Sequence, residues 1–242
     1  MKISDIIANT IDRLPSDHVF TYTDFNIEPK KKDAVVKALN RMVAAGKISK
    51  LSKGRFYKPR QSRFGALQPS AYQIAKDLLE RNGVVVGYIT GYNAYSEMGL
   101  TTQIPATLQI GTNKYRRSLT RGIYKISFIV QPNKIIKSNI ELLRILDAIR
   151  FVREIPGTTP DEACSRLMII LGQLSTEKVK TLAMLVLKYN PAVQALCGAM
   201  LDNIGADELL TNKIAASLNP VTEYNMPVSE SVLPNKKKWR LK

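Results

Sequence analysis

One stretch, residues 30–59, constrains the fold most, because a basic amphipathic helix is followed at once by a short hairpin pattern. In the helix, Val35 and Leu39 fall on one face at helical spacing. Lys37 and Arg41 fall on the opposite face. One side of this helix can therefore pack on a core while the other presents cations to a partner.

The residues after the helix predict a hairpin. Gly46 is placed to end the helix in the left-handed conformation. Two β-favouring segments, KISKL and RFYKP, then flank Ser52-Lys53-Gly54, where Gly54 allows a positive φ. A basic helix followed by a basic hairpin is typical of a winged helix-turn-helix, whose helix enters the major groove while the hairpin lies against the flanking backbone. The alternatives are a solvated lysine face or a protein-binding winged helix.

The preceding residues complete the winged-helix order. Residues 3–14 carry apolar side chains on one helical face, and Pro15 stops that helix. Val19 and Phe20 favour a brief strand, and Thr21 or Thr23 can cap a short second helix. The predicted order is therefore helix, short helix, long helix and hairpin.

The charge distribution points to a polyanionic partner. The formal net charge is +16, and residues 1–63 hold 14 Lys and Arg against 6 Asp and Glu. Residues 155–242 hold 10 against 8. Because the excess is concentrated where the helix and hairpin are predicted, it favours nucleic acid over a membrane surface.

The remaining composition favours a cytoplasmic protein. No apolar run is long enough to span a bilayer, and the N-terminal residues lack the pattern of a signal peptide. Cys164 and Cys197 both lie in apolar helical patterns, so we expect buried, reduced thiols. We expect no membrane association.

The rest of the chain alternates short strand and helix patterns and then becomes helical. Residues 59–69 read as a linker, and Ser138-Asn139-Ile140-Glu141 and Thr159-Pro160-Asp161-Glu162 as helix-capping boxes. The predicted fold class is α+β, with a central small mainly antiparallel sheet. The predicted parts are a winged helix-turn-helix domain (1–60), an α+β domain (64–156), a helical region (157–218) and an extended basic tail (219–242).

The sequence lacks the common catalytic motifs. There is no Walker loop, Rossmann fingerprint, His-Glu-x-x-His motif or nucleophile elbow. Acid pairs such as Asp161-Glu162 sit at helix starts, where they complement the helix dipole. Glu97, Glu141 and Asp147 are too scattered in the sequence to indicate a metal site. We therefore expect no catalytic residues, no metal and no cofactor.

A second basic and aromatic cluster lies in residues 113–125. Such a patch can extend a DNA footprint, contact RNA or bind an acidic protein. The alternative is a strand edge guarded by charges. Its candidate residues are Lys114, Tyr115, Arg116, Arg117 and Arg121.

Three segments, GRFYKPRQSRFGAL, VGYITGYNAYSEMGLTTQ and IYKISFIVQPN, resemble a bacterial family related to the abortive-infection E antitoxins. Those antitoxins belong to type IV toxin–antitoxin modules. The resemblance runs over most of the chain and is best between about Lys47 and Ile155. It implies a transcriptional repressor whose winged helix binds inverted repeats in double-stranded DNA. It also implies a C-terminal part that counteracts a nucleotidyltransferase-like toxin without requiring a stable complex.

The resemblance places the DNA contacts on the helix and the hairpin, and Thr23, which precedes them in the chain, is a further candidate. Two other interpretations stay open, namely a stand-alone winged-helix regulator and an enzyme acting on nucleic acid. A neighbouring nucleotidyltransferase gene would favour the antitoxin, and metal-dependent cleavage would favour the enzyme. The candidate DNA-binding residues are Thr23, Lys30, Lys31, Lys37, Asn40, Arg41, Lys50, Lys53 and Arg55.

Overall fold

The computed structural model describes residues 3–25, 27–63, 65–103 and 107–242. The chain forms two compact units. The first unit consists of Met1–Asp77 and Leu119–Tyr124, and the second of Leu78–Ser118 and Lys125–Lys242. The chain thus returns to the first unit for six residues before it completes the second. These units differ from the predicted parts, whose boundaries followed the order of the sequence.

The elements alternate between helices and strands in the first half of the chain and are helical in the second. Residues 3–79 form α1 (Ile3–Arg13), β1 (Val19–Thr21), α2 (Lys32–Ala44), β2 (Ser49–Ser52), β3 (Arg55–Tyr57), β4 (Arg60–Ser62), β5 (Gly65–Leu67) and α3 (Ala71–Leu79). Residues 80–130 form β6 (Glu80–Arg81), β7 (Val84–Val85), β8 (Gly87–Thr90), α4 (Tyr92–Glu97), β9 (Thr107–Thr112), β10 (Leu119–Arg121) and β11 (Tyr124–Val130). Residues 140–216 form α5 (Ile140–Arg150), α6 (Pro160–Gly172), α7 (Thr176–Val186), α8 (Pro191–Asn203) and α9 (Glu208–Ala216).

The first unit packs α1 and α2 against a three-stranded sheet of order β1-β3-β2. Both strand pairs are antiparallel, and Phe20 of β1 lies opposite Phe56 of β3 with their rings stacked at 6.3 Å. The apolar faces of the helices close this core, with Ile7, Ile11 and Leu39 fully buried. The apolar faces that helical spacing predicted for these two helices are therefore the faces that pack in the core.

The predicted linker contains an element of its own. β4 and β5 form a small antiparallel hairpin in which Arg60 lies opposite Leu67 and Ser62 lies opposite Gly65. Phe64, which falls in the predicted linker, lies outside the described residues. The interpretation of residues 59–69 as a plain linker is therefore wrong, because the prolines flank the hairpin instead of preventing it.

The α+β class is confirmed, and the sheets are small. In the second unit, β11, β9 and β8 lie side by side in that order. β8 and β9 are antiparallel, as the sequence predicted, whereas β9 and β11 are parallel over six residue pairs. A parallel pair needs a long connection between its strands. Here the connection contains the six residues that return to the first unit.

The helices of the second unit build the larger core. Nine consecutive residues of α8, from Val193 to Leu201, are buried. At the start of α6 the predicted capping box is present, with Thr159 and Glu162 bonding each other's backbone amides. The predicted box at Ser138 is wrong, because a 3-10 turn, Lys137–Asn139, precedes α5 and the capping residue makes no side-chain bond.

The last residues, 219–242, depart from the prediction of an extended basic tail. They hold no helix or strand beyond one isolated bridge between Tyr224 and Leu241. They nevertheless pack on the helical core, since Leu233 and Trp239 are buried. The indole nitrogen of Trp239 donates a hydrogen bond to Asp202 at 3.0 Å. Within the described residues, no helix combines the length and apolar character needed to cross a bilayer.

Candidate nucleic-acid interface

The two faces of α2 differ as the sequence predicts. Val35 and Leu39 are buried in the core of the first unit. Lys37, Asn40 and Arg41 are exposed on the other side. The core contacts therefore fix which face of the helix is presented outward, and that face carries cations and an amide.

Most of the cations around α2 are available to a ligand. In the part of the chain that the structure describes, Lys30, Lys37 and Arg41 have no acidic partner. Lys31 pairs with Glu28 at 3.2 Å, but both side chains are more than half exposed. Exposed pairs of this kind contribute little free energy, so the pairing of Lys31 does not prevent a phosphate contact.

Thr23 lies in the 3-10 turn Tyr22–Phe25 and is exposed. Its hydroxyl lies 2.6 Å from that of Thr21, and the amide of Thr21 donates to the Asp24 carboxylate at 2.5 Å. These bonds stabilise the turn that precedes α2. The short second helix of the prediction is therefore this turn, and Asn26 beside it lies outside the described residues.

The hairpin of β2 and β3 presents its lysines at the tip and along one side. Gly54 adopts a φ of 73°, which allows the tight turn. Lys50 and Lys53 are exposed, whereas Leu51 is buried. Among the described residues, neither lysine has an acidic partner. The hairpin therefore adds two available cations close in sequence to α2.

Arg55 is engaged within the first unit. Its guanidinium donates to the carboxylate of Asp77 at 2.8 Å, and its side chain is 29% exposed. Arg121 donates to the same carboxylate at 2.5 and 2.9 Å and to the carbonyl oxygen of Ile74 at 2.6 Å. Burial would raise the pKa of Asp77, but the hydrogen bonds from the two arginines outweigh it and lower that pKa.

Arg121 is therefore not part of a second basic patch. Its side chain is only 4% exposed, and it belongs to the first unit, whereas residues 114–117 belong to the second. The prediction grouped them because they are close in sequence. The physical reason for the error is that β10 carries Arg121 back to Asp77, where the guanidinium donates to the Asp77 carboxylate and to the carbonyl oxygen of Ile74.

The other patch residues lie in the loop between β9 and β10, not on a strand edge. Lys114, Tyr115 and Arg117 are exposed, and the Tyr115 side chain is 80% exposed. The guanidinium of Arg116 lies over the Phe128 ring, 5.2 Å from its centre. This arrangement orients Arg116 and keeps its charge at the surface.

A buried polar network in the second unit is not evident from the sequence. Asp147 of α5 is fully buried and accepts hydrogen bonds from the hydroxyls of Tyr88 at 2.6 Å and Thr90 at 2.8 Å. Tyr189 donates to its other oxygen at 3.2 Å. Gln131 links the two tyrosines by donating to both hydroxyls. The one feature of the sequence that could have indicated this network is an aspartate, Asp147, among the apolar residues of a helix.

This environment perturbs the ionisation of its members. Burial raises the pKa of Asp147 to about 6, although the donated hydrogen bonds oppose the change. Burial and the neighbouring carboxylate also raise the pKa of the Tyr88 and Tyr189 hydroxyls. Each member of the network is at most 5% exposed, so these hydrogen bonds lie inside the core.

The other two acidic residues that are scattered in the sequence, Glu97 and Glu141, form ion pairs at the surface. Glu97 pairs with Arg144, and Glu141 accepts a hydrogen bond from Lys178 at 2.5 Å. Within the described residues, no group of three or more His, Cys, Asp or Glu side chains converges to hold a metal ion. Cys164 and Cys197 are buried free thiols, and burial raises the pKa of each to about 12.

Comparisons with known proteins place the chain in a family and show a distant fold relative. The model described as "Family of unknown function (DUF6088)" matches residues 6–182. Among curated proteins, no sequence matches the chain. The crystal structure of the RV2827C protein from Mycobacterium tuberculosis is similar at a TM-score of 0.50 and 15% identity, over 91% of this chain and 82% of that one. At this identity the likeness concerns the fold alone.

Proposed function

The chain belongs to the DUF6088 family, whose function is unknown, and we propose that it is a DNA-binding repressor whose first unit acts as a winged helix-turn-helix. The observation that carries the proposal is the exposed basic face of α2, followed directly in the chain by the basic hairpin of β2 and β3. A solvated surface helix would not need an adjoining hairpin with further cations at its tip.

The order of elements in the first unit supports this assignment. α1, the 3-10 turn, α2 and the β2–β3 hairpin follow one another as in winged helices. α2 has 13 residues, which gives a length of about 20 Å, and a helix of ordinary diameter fits the major groove. α2 is therefore the recognition helix of the proposal.

Side-chain chemistry divides the roles within this surface. Arg41 suits the two acceptors on the edge of guanine, and Asn40 suits the acceptor and donor of adenine. Lys37 lies on the same exposed face. The residues in the turns before the helix and those on the hairpin are assigned to evenly spaced phosphates, which position a protein without reading sequence. Those residues are Thr23, Lys30, Lys31, Lys50 and Lys53.

Arg55 has a smaller role than the sequence implied. Its guanidinium is held by Asp77, so it can turn only part of its donors toward a phosphate. The pair instead fixes β3 relative to α3 within the first unit. We assign Arg55 to positioning the hairpin.

The resemblance to abortive-infection E antitoxins supports a wider biological role. On this proposal the protein represses its own operon through inverted repeats in the cytoplasm and counteracts a nucleotidyltransferase-like toxin through its C-terminal part. A stable complex with the toxin is not required. The proposal assigns binding and not catalysis, and the acids of the second unit that pair with Arg144 and Lys178 have structural uses.

The test measures binding of the full chain to DNA from upstream of its own gene, against random duplex of equal length. Lys37→Ala with Arg41→Ala should cost about 1–3 kcal/mol for each base-reading contact and affect the upstream DNA more than the random duplex. Lys50→Ala with Lys53→Ala should weaken both DNAs alike and lower the salt slope by about 1 for each lost phosphate contact.

The matched control removes two exposed lysines of the second unit, Lys180 and Lys188, by alanine substitution. It should leave both affinities unchanged, and all variants should melt near the wild-type temperature. Unaltered binding by the α2 variant would remove that helix from the interface. Co-expression with a neighbouring nucleotidyltransferase, scored for growth, tests the antitoxin role, and failure to restore growth would leave a stand-alone regulator.

A further inference from the structure

The second unit contains an open groove of about 860 Å³ at one end of its sheet. The strand register explains why its walls meet there. Gly87, at the start of β8, pairs with Thr112, at the end of β9, and Val130, at the end of β11, pairs with the same Thr112. The β6–β7 hairpin, the loop after β9 and the loop after β11 therefore converge on one edge.

The groove is strongly basic. Five cations line it, and none of its described lining residues is acidic. None of the five has an ion-pair partner within the part of the chain that the structure describes. Clustered uncompensated cations repel one another, and an anionic ligand relieves that repulsion. The cations are Arg81, Lys114, Arg116, Lys134 and Lys137.

The same groove exposes apolar and aromatic surface. Tyr115 is 80% exposed and Val84 is 62% exposed, although both are large apolar side chains in a folded protein. Ile136 contributes from the opposite loop at 40% exposure. Exposed apolar surface gathered in one place and surrounded by polar groups is characteristic of binding sites. The groove therefore combines an anion-binding and an apolar character.

Hydrogen bonds from Asn113 and Thr112 fix the loop that carries Lys114 and Tyr115. The side-chain amide of Asn113 donates to the carbonyl oxygens of Gln131 and Asn133 at 2.8 and 2.5 Å. The Thr112 hydroxyl donates to the carbonyl oxygen of Lys114 at 2.8 Å. The bonds of Asn113 join the loop after β9 to the loop after β11, and the Thr112 bond lies within the loop after β9. The groove is thus formed before a ligand arrives.

We propose that this groove binds single-stranded nucleic acid. Phosphates contact the five cations, and bases pack on the Tyr115 ring and the neighbouring aliphatic side chains. Proteins that bind single strands combine these two features, a basic groove and exposed rings on which bases stack. A duplex keeps its bases stacked on one another, so it leaves the ring of Tyr115 without a partner. This site is separate from the α2 surface and does not depend on the proposed repressor role.

The test measures anisotropy of a labelled oligouridylate of about ten nucleotides, within the usual site size of such proteins, and of an oligothymidylate of equal length. The full chain is used throughout. Tyr115→Ala should weaken binding about tenfold, and Tyr115→Phe should retain it, because stacking needs the ring and not the hydroxyl. Both substitutions are at an exposed side chain, so the fold is expected to be unaffected.

The charge arm replaces Lys134 and Lys137 by alanine. Each lost phosphate contact on a single strand should reduce the salt slope by about 0.7, so the double variant should lose about 1.4. The matched control, Lys180→Ala with Lys188→Ala, should bind as the wild type does. The α2 variant Lys37→Ala with Arg41→Ala should also bind the single strands unchanged, which separates this site from the proposed repressor surface.

Four outcomes would overturn the proposal. Equal binding by wild type and Tyr115→Ala would show that the ring is not used. Displacement of the oligonucleotide by ATP alone at equal affinity would make the ligand a free nucleotide, and displacement by polyglutamate would make it an acidic chain. Loss of binding in the α2 variant alone would assign the single strand to the first unit.

Discussion

Gly198 sits in the middle of α8, directly under the indole of Trp239. A Cβ at this position would lie 2.1 Å from Cζ3 of that ring, far inside any real contact distance. The indole is 2% exposed, so it has little room to move while it stays docked. We therefore expect Gly198→Ala to displace Trp239 and, with it, the last residues of the chain.

The magnitude follows from what the displaced ring loses. Removing a buried Trp side chain costs about 3–5 kcal/mol, and the lost hydrogen bond to Asp202 adds about 1 kcal/mol. Replacing Gly by Ala within a helix returns about 1 kcal/mol, and partial reseating of the ring returns more. The expected net loss in the free energy of unfolding is about 2–4 kcal/mol.

Trp239 is the only tryptophan in the chain, so its fluorescence reports on this contact alone. Gly198→Ala should shift the emission to longer wavelength under native conditions and lower the urea midpoint followed by circular dichroism. Gly172→Ala is the matched control, because Gly172 also lies in a helix and a Cβ there meets nothing within 4 Å. That control should keep the emission and gain up to about 1 kcal/mol. Identical behaviour of the two variants would refute the docking of the tail on α8.

Two further predictions concern buried charges. Asp77→Ala leaves the guanidinium of Arg121 buried without its carboxylate partner. Urea unfolding should then show a loss of about 2–3 kcal/mol in the free energy of unfolding, less than for a fully buried pair because Asp77 is half exposed. Arg55→Ala should lower the free energy of unfolding by about 1 kcal/mol or less, and equal losses in the Asp77 and Arg55 variants would contradict this account. For Asp147, the pKa is raised from 3.8 to about 6 in the folded chain, so the native state keeps a proton that the unfolded state releases between these values. Its contribution to stability therefore falls as pH rises from about 4 to about 6. Over that range the free energy of unfolding of the wild type should fall by on the order of 3 kcal/mol relative to that of Asp147→Asn. A difference between the two proteins that stays constant with pH would contradict this prediction.

The sequence by itself determined the elements whose signals are local. The faces of α2 follow from helical spacing, which places Val35 inside and Lys37 outside. The turn at Gly54 and the capping box at Thr159 each depend on a few neighbouring residues. Such features need no knowledge of distant contacts, because backbone hydrogen bonding and φ preferences act over three or four residues.

The candidate site was predictable only in part. The exposed cations of α2 and the hairpin follow from local patterns, and so does the basic character of residues 114–117. Arg121 was assigned to the same patch because it is near in sequence, but β10 places it against Asp77 in the other unit. Nothing within a few residues of Arg121 marks it as an internal partner of a carboxylate more than forty positions away.

Only the tertiary structure decided how distant segments combine. The parallel pairing of β9 with β11 brings the basic loops of the second unit to one end of the sheet. The residue pattern of these two strands would be the same if they paired antiparallel, so it could not predict this arrangement. The basic composition of residues 219–242 suggested an extended tail, yet Trp239 finds a site that Gly198 leaves open. These outcomes depend on shape and on contacts across long sequence separations, and residue order alone carries no local signal for either.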